Sequence, residues 1–270
     1  MSVIDMTICS HALGMDTRVS VILPEVRLAA EPLHPDKKYP VLYLLHGHSD
    51  GANAYMRKSV IELFAREHEL IVVMPDAARS FYTDSPCGHD YYTYITEELP
   101  VKMKNAFHIS DRREDTFIAG LSMGGYGALK IALSRPERYS KCAVMSPGID
   151  FVTHPESKRV MGTVFTTPHS DAVLLRSFGP EEDYPGSEND LCQLVRNLRD
   201  AALKPDIFQI IGHDDMLIEQ NRDFHAFMEK EGRHLNYTYK ETEGMHNWYF
   251  WNRALGDVFE FLGFPVSDHF

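Results

Sequence analysis

Asp115-Thr116-Phe117-Ile118-Ala119-Gly120-Leu121-Ser122-Met123-Gly124-Gly125-Tyr126-Gly127-Ala128-Leu129-Lys130-Ile131-Ala132-Leu133 is the stretch that decides the fold. Its first five residues are rich in β-branched and aromatic side chains, as a buried strand requires. Beyond Gly124, small and apolar residues follow at helical spacing. They stop at Arg135-Pro136, where proline cannot continue a helix. Between the two lies Gly120-Leu121-Ser122-Met123-Gly124, the G-x-S-x-G form of a strand-to-helix turn that lifts a serine hydroxyl out of the fold. Side chains two residues either side of the serine would collide across so tight a turn, and the serine must hold a strained backbone. The competing reading is a glycine-rich turn with a serine that only caps the helix. The strand–turn–helix setting disfavours it.

Working outward, strand and helix patterns alternate. Residues 2–9 and 17–23 read as strands joined through Ala12-Leu13-Gly14-Met15-Asp16, and Pro32, Pro35 and Pro40 mark a loop. Val41-Leu42-Tyr43-Leu44-Leu45 and Leu70-Ile71-Val72-Val73-Met74 are continuous apolar runs, typical of strands buried on both faces of a parallel sheet. Helices are expected at 58–68 and 93–106, the latter kinked or split at Pro100. The next strand is Lys141 to Ser146. Over 150–205 the pattern weakens under His154-Pro155, Thr167-Pro168, Gly179-Pro180 and Pro185-Gly186, with one helix expected at 188–203. Alternation resumes with strand 207–211, helix 217–231, strand 235–240 and helix 247–262. The expectation is one α/β domain over residues 1–270: a mostly parallel sheet, helices on both faces, and an insertion at 150–205 that forms a cap at the ligand-binding strand ends.

Composition narrows the function. A chain of 270 residues with 44% hydrophobic and 24% charged residues is ordinary for a soluble globular protein. Its 27 Lys and Arg against 39 Asp and Glu give a net charge of −12, which argues against nucleic acid and anionic membrane as partners. Cys9, Cys87, Cys142 and Cys192 are scattered and read as reduced, mostly buried thiols. Met1-Ser2-Val3-Ile4-Asp5 shows no signal-peptide pattern, and no stretch is long enough to span a bilayer, so a cytoplasmic enzyme is expected.

A serine hydroxyl needs a base within hydrogen-bond reach, and that base needs an orienting acid. On this fold they follow in the order Ser, acid, His. Strand 207–211 runs into Gly212-His213-Asp214-Asp215-Met216-Leu217, so Asp214 or Asp215 is the candidate acid, with Glu219 a weaker third. Either aspartate could instead cap the following helix. His246, in Glu243-Gly244-Met245-His246-Asn247-Trp248, sits just before the last helix, where the base is needed. Donors for a developing oxyanion are expected from the backbone N–H of Met123 and of His48, the latter in the loop Leu45-His46-Gly47-His48-Ser49. His46, His48, His213 and Asp214 are weak evidence for a metal without a recognised ligand pattern, and no G-x-G-x-x-G or P-loop suggests a nucleotide. No cofactor and no metal are expected.

Four segments together resemble the esterase D-like family of α/β-hydrolases, on the side of bacterial tributyrin esterases and the feruloyl and acetyl esterases. They are Leu44-Leu45-His46-Gly47, Tyr94-Ile95-Thr96-Glu97-Glu98-Leu99-Pro100, Phe117 to Ala128, and Gly244-Met245-His246-Asn247-Trp248. The resemblance runs from about residue 3 to 262. It implies an acid three residues after Gly212, which selects Asp215, and oxyanion donors at the amides of His48 and Met123. It further implies short-chain acyl esters as substrates and a dimer or tetramer. The family's S-formylglutathione hydrolases carry a different loop at His46-Gly47-His48-Ser49, which turns the reading toward oxygen esters. S-formylglutathione hydrolysis, acyl transfer to another acceptor and a non-catalytic binding protein on the same fold are the alternatives. Trp248 and Phe165 are candidates for lining the cap.

Overall fold

The computed structural model describes residues 1–24, 36–86, 88–163 and 170–265. The hairpin β1 (Ser2–Ser10) and β2 (Met15–Leu23) opens an eight-stranded sheet. It continues through β3 (Val41–Leu45), β4 (Ile71–Pro75), β5 (Thr116–Leu121), β6 (Lys141–Met145), β7 (Asp206–Gly212) and β8 (Tyr237–Thr242). The spatial order is β1-β2-β4-β3-β5-β6-β7-β8. β2 lies antiparallel to β4, and every pairing from β4 to β8 is parallel. The mixed, mostly parallel sheet expected from the pattern is therefore the one observed.

The apolar runs become central strands because side chains on both faces find cover. Val41, Tyr43 and Leu45 of β3 enter one core and Leu42 and Leu44 the other. α1 (Ala54–Lys58) and α2 (Ile61–Glu67) follow β3, and α2 packs in the second core. After β4 come α3 (Tyr91–Thr93), a π-helical segment Tyr94–Glu98, and α4 (Leu99–Ala106). α5 (Met123–Ser134) follows β5 and packs in the first core. Between β6 and β7 stand α6 (Pro155–Thr163), α7 (Ser170–Phe178) and α8 (Leu191–Asn197). α9 (Ile218–Glu231) links β7 to β8, and α10 (Trp248–Leu262) closes the fold in the second core. Phe250, Trp251, Leu255, Val258, Phe259 and Leu262 of α10 are buried, each contributing about 1.5–3 kcal/mol over exposure.

Several expected boundaries move. The helix foreseen at 58–68 is two, broken where Ser59 turns extended at φ −142°, ψ 174°. Pro100 does not end the helical run: it is the second residue of α4, which follows the π-helical segment Tyr94–Glu98 directly. Proline has no N–H to offer the carbonyl of Thr96, four residues back, and the Arg138 guanidinium donates to that carbonyl. The helix foreseen at 188–203 is only α8, because Asp190 caps it by accepting from the N–H groups of Cys192 and Gln193 and the chain turns out at Leu198. The strand foreseen at 235–240 starts at Tyr237. Cys142 is buried and Cys192 half-buried, but Cys9 is exposed, since the edge strand β1 turns every second residue to solvent. Cys87, Pro32, Pro35 and Phe165 lie outside the described residues.

Candidate active site

The elbow is a consequence of three close approaches. Ser122 holds φ 53° and ψ −118°, a conformation that few non-glycine residues adopt. Its N–H donates to Met145 O at 3.0 Å, while its own carbonyl accepts from the N–H groups of Tyr126 and Gly148. These bonds fix the strained residue between β6 and α5. A Cβ on Gly120 would stand 2.2 Å from Gly124 O, and a Cβ on Gly124 would stand 2.2 Å from Leu45 O. Both glycines are demanded by backbone proximity, as the motif's logic requires. Gly47 completes the junction, since a Cβ there would lie 3.6 Å from Ser122 Cβ. The His46-Gly47-His48 loop therefore runs directly beside the serine.

The acid and base loops meet in the same way. A Cβ on Gly212 would lie 2.3 Å from Gly244 O, so the ends of β7 and β8 touch. That contact brings Asp215 and His246 together across 31 residues. His246 Nδ1 is 2.9 and 3.0 Å from the two oxygens of Asp215. A carboxylate only accepts, so Nδ1 donates, and Nε2 presents its lone pair to Ser122 Oγ at 2.9 Å. Asp215 is fully buried and also accepts from Leu217 N–H at 2.9 Å. Asp214 is exposed, and Glu219 faces solvent in the first turn of α9, pairing with Arg222. Of the three acids considered, the fold brings only Asp215 to His246.

His46 and His48 differ. His46 Nε2 accepts from the Ala77 N–H at 2.9 Å, so Nδ1 carries the proton and donates to Gly47 O at 2.8 Å. Burial pushes its pKa below the usual histidine range. His46 is thus a neutral brace that shapes the loop; both ring nitrogens are committed to backbone groups. His48 is buried against Phe81, with ring centroids 5.5 Å apart. Burial, with Arg79 and His46 adding to it, lowers its pKa to about 4. Met123 is the first residue of α5, so its N–H is among those with no acceptor inside the helix. Among the described residues no group of three or more His, Cys, Asp or Glu is gathered as for a metal.

A polar and aromatic scaffold not singled out in the sequence supports these groups. Trp251 stands edge-on to His246 at 5.0 Å and donates its indole N–H to Ser146 Oγ at 3.1 Å. Buried Asn221 donates to Pro147 O and Leu217 O, and accepts from Gln209, whose amide oxygen accepts from the Tyr237 hydroxyl. It ties the loop behind the serine to the loop carrying Asp215. The one legible signal was Gln209, a polar residue inside an otherwise apolar strand. Trp248 is half-buried between Tyr55 and Trp251, with the Lys58 ammonium over its ring.

The family model described as "Putative esterase" matches residues 10–262. The chain belongs to this esterase family. The esterase is 29% identical to an acetyl esterase of Caldicellulosiruptor saccharolyticus, over 99% of this chain and 100% of that protein. Its structure is similar to the substrate-bound fluorophosphonate-binding serine hydrolase F of Staphylococcus aureus, at 28% identity, 97% and 98% coverage of the two chains and a TM-score of 0.83. It is similar also to the S-formylglutathione hydrolase of Staphylococcus aureus, at 28% identity, the same coverage and a TM-score of 0.82. The esterase thus has the α/β-hydrolase architecture and is a carboxylic ester hydrolase. No helix among its described residues is long and apolar enough to cross a membrane.

Proposed function

We propose that this esterase hydrolyses short-chain acyl esters, acetyl and feruloyl esters among them, with Ser122 as nucleophile, His246 as base and Asp215 as the acid that orients it. The observation that carries this reading is the unbroken row of hydrogen bonds from Asp215 through His246 to Ser122 Oγ. Ser122 Oγ attacks the ester carbonyl while its proton passes to His246 Nε2. The charge gathering on the carbonyl oxygen meets the N–H groups of Met123 and His48 and the positive end of α5. Asp215 stabilises the imidazolium without taking its proton. The tetrahedral species collapses, the alcohol leaves with the proton from Nε2, and water repeats the sequence on the acyl-enzyme.

The chain acts in this reading as one domain, with residues 150–205 as a cap. What supports the cap is its attachment: Tyr126 of α5 donates to Asn189 O at 2.6 Å, and Gln220 of α9 donates to Ser157 Oγ at 2.7 Å. The enzyme works without cofactor or metal, in the cytoplasm, where the free thiols of Cys9, Cys142 and Cys192 stay reduced. A dimer or tetramer is expected and is read by sedimentation. Thioester hydrolysis is the second reading, favoured by the similarity to the S-formylglutathione hydrolase.

The test is hydrolysis of 4-nitrophenyl esters of increasing acyl length by wild type and Ser122→Ala. Loss of nearly all activity in the variant is expected; equal activity in both proteins refutes the assignment. Methyl ferulate, acetylated sugars and S-formylglutathione then rank the substrate classes.

A further inference from the structure

The loop leaving β4 and helix α7 line an open cavity of about 390 Å³. Met15, Tyr91 and Val173 give its lining an apolar part, while Arg79 and Arg176 line it from each of the two elements. Neither arginine has a hydrogen bond, ion pair or ring contact among the described residues. Elsewhere Arg112, Arg138, Arg196 and Arg222 each meet a carboxylate. With 39 acidic residues against 27 basic ones, the chain has carboxylates to spare for two more arginines. Two like charges in one concavity repel each other and favour an anion between them.

Buried aromatic rings connect the walls of the cavity to the candidate active site. Phe81, two residues from Arg79, lies 5.5 Å from the His48 ring and 5.2 Å from Phe178. Phe178 follows the lining residue Ser177 and meets Tyr126 of α5 at 5.6 Å. β4, β3 and β5 are parallel, so the loop after β4 opens at the same sheet edge as Ser122, the edge where ligands of such sheets bind.

We propose that this cavity is a substrate subsite whose Arg79 and Arg176 hold a carboxylate at the end of the ester remote from the reacting carbonyl. The inference rests on the ester-hydrolase reading above and adds the substrate's charge to it. A guanidinium fork matches a carboxylate with two parallel hydrogen bonds. Because both arginines are exposed, the attraction is screened and shows in KM and in salt dependence more than in kcat.

The experiment compares charged and neutral esters of like shape. On the acyl side these are mono-4-nitrophenyl glutarate and 4-nitrophenyl valerate; on the alcohol side, 4-acetoxybenzoate and its methyl ester. In wild type at low salt, the charged member of one pair is expected to have the higher kcat/KM. That charged-to-neutral ratio falls about tenfold in Arg79→Gln and in Arg176→Gln, through KM, and shrinks as salt is raised. The proposal is overturned if neither pair favours the anion, or if the preference survives in the double variant. If wild type cleaves none of the four esters, the ester-hydrolase reading fails instead. Calorimetric titration of Ser122→Ala with both charged esters reads the subsite without turnover. Binding by one ester that is lost on adding Arg79→Gln and Arg176→Gln supports the subsite, and no binding by either overturns it.

Discussion

Gly124→Ala sets helix propensity against backbone proximity. Gly124 lies in the first turn of α5, where alanine should gain about 1 kcal/mol of helix stability. The new Cβ, however, would stand 2.2 Å from Leu45 O, 2.5 Å from Leu45 C and 2.7 Å from His46 O, whereas ordinary contact begins at 3.4 Å. The start of α5 and the end of β3 must then part by about 1 Å, and neither side has a flexible side chain to give way. Overpacking of this kind costs about 1–3 kcal/mol, so the net effect is a loss of up to about 2 kcal/mol and a Tm fall of up to about 8 °C. Ser122 and Met123 stand on one side of the gap and His48 on the other. A misplacement of about 1 Å between nucleophile and oxyanion donors should lower kcat/KM about 10²-fold. Gly256→Ala in α10 is the control: nothing lies within 4 Å of a Cβ there. It should gain about 0.5–1 kcal/mol with unchanged kinetics. Both variants are assayed by thermal unfolding and by 4-nitrophenyl acetate hydrolysis. A Gly124→Ala protein with raised Tm and full kcat/KM would refute the reasoning.

The remaining expectations concern the acid, a buried cation and the polar scaffold. Asp215→Asn should lower kcat about 10³–10⁴-fold by turning the imidazole to the wrong tautomer, and exposed Asp214→Asn should leave it unchanged; the opposite pattern in steady-state rates rejects Asp215. Burial lowers the Lys130 pKa to about 8, below its unfolded value of about 10.4, so the unfolded chain binds the extra proton between those pH values. Lys130 therefore makes stability rise as pH goes from 8 to 9.5, by about 1–2 kcal/mol. Urea unfolding of Lys130→Met should lack this increment; parallel pH profiles for the two proteins contradict it. Asn221→Leu leaves Gln209 without its acceptor and Pro147 O without its donor, and should cost about 2–4 kcal/mol in denaturant unfolding. A loss under about 0.5 kcal/mol would remove Asn221 from the scaffold.

Local pattern alone determined much of this protein. The apolar runs at 41–45 and 70–74 determined buried parallel strands, because only strands covered on both faces tolerate apolar side chains at every position. Gly120, Ser122 and Gly124 marked the elbow as a five-residue pattern, although what forbids a side chain at Gly124 is Leu45 at the end of β3. The positions of Asp215 and His246 at the ends of late strands were legible for the same topological reason. Tertiary structure decided what depends on distant segments meeting. Residues alone left Asp214 and Asp215 open; the approach of Gly212 to Gly244 buries one beside His246 and leaves the other in solvent. Helix breaks at Ser59 and Leu198, the Gln209–Asn221 scaffold and the pairing of Arg79 with Arg176 around one cavity follow from contacts between elements far apart in the chain. Sequence periodicity records which face of an element is apolar. It carries no record of which other element that face meets, and the site's supports, unlike its nucleophile, are built from those meetings.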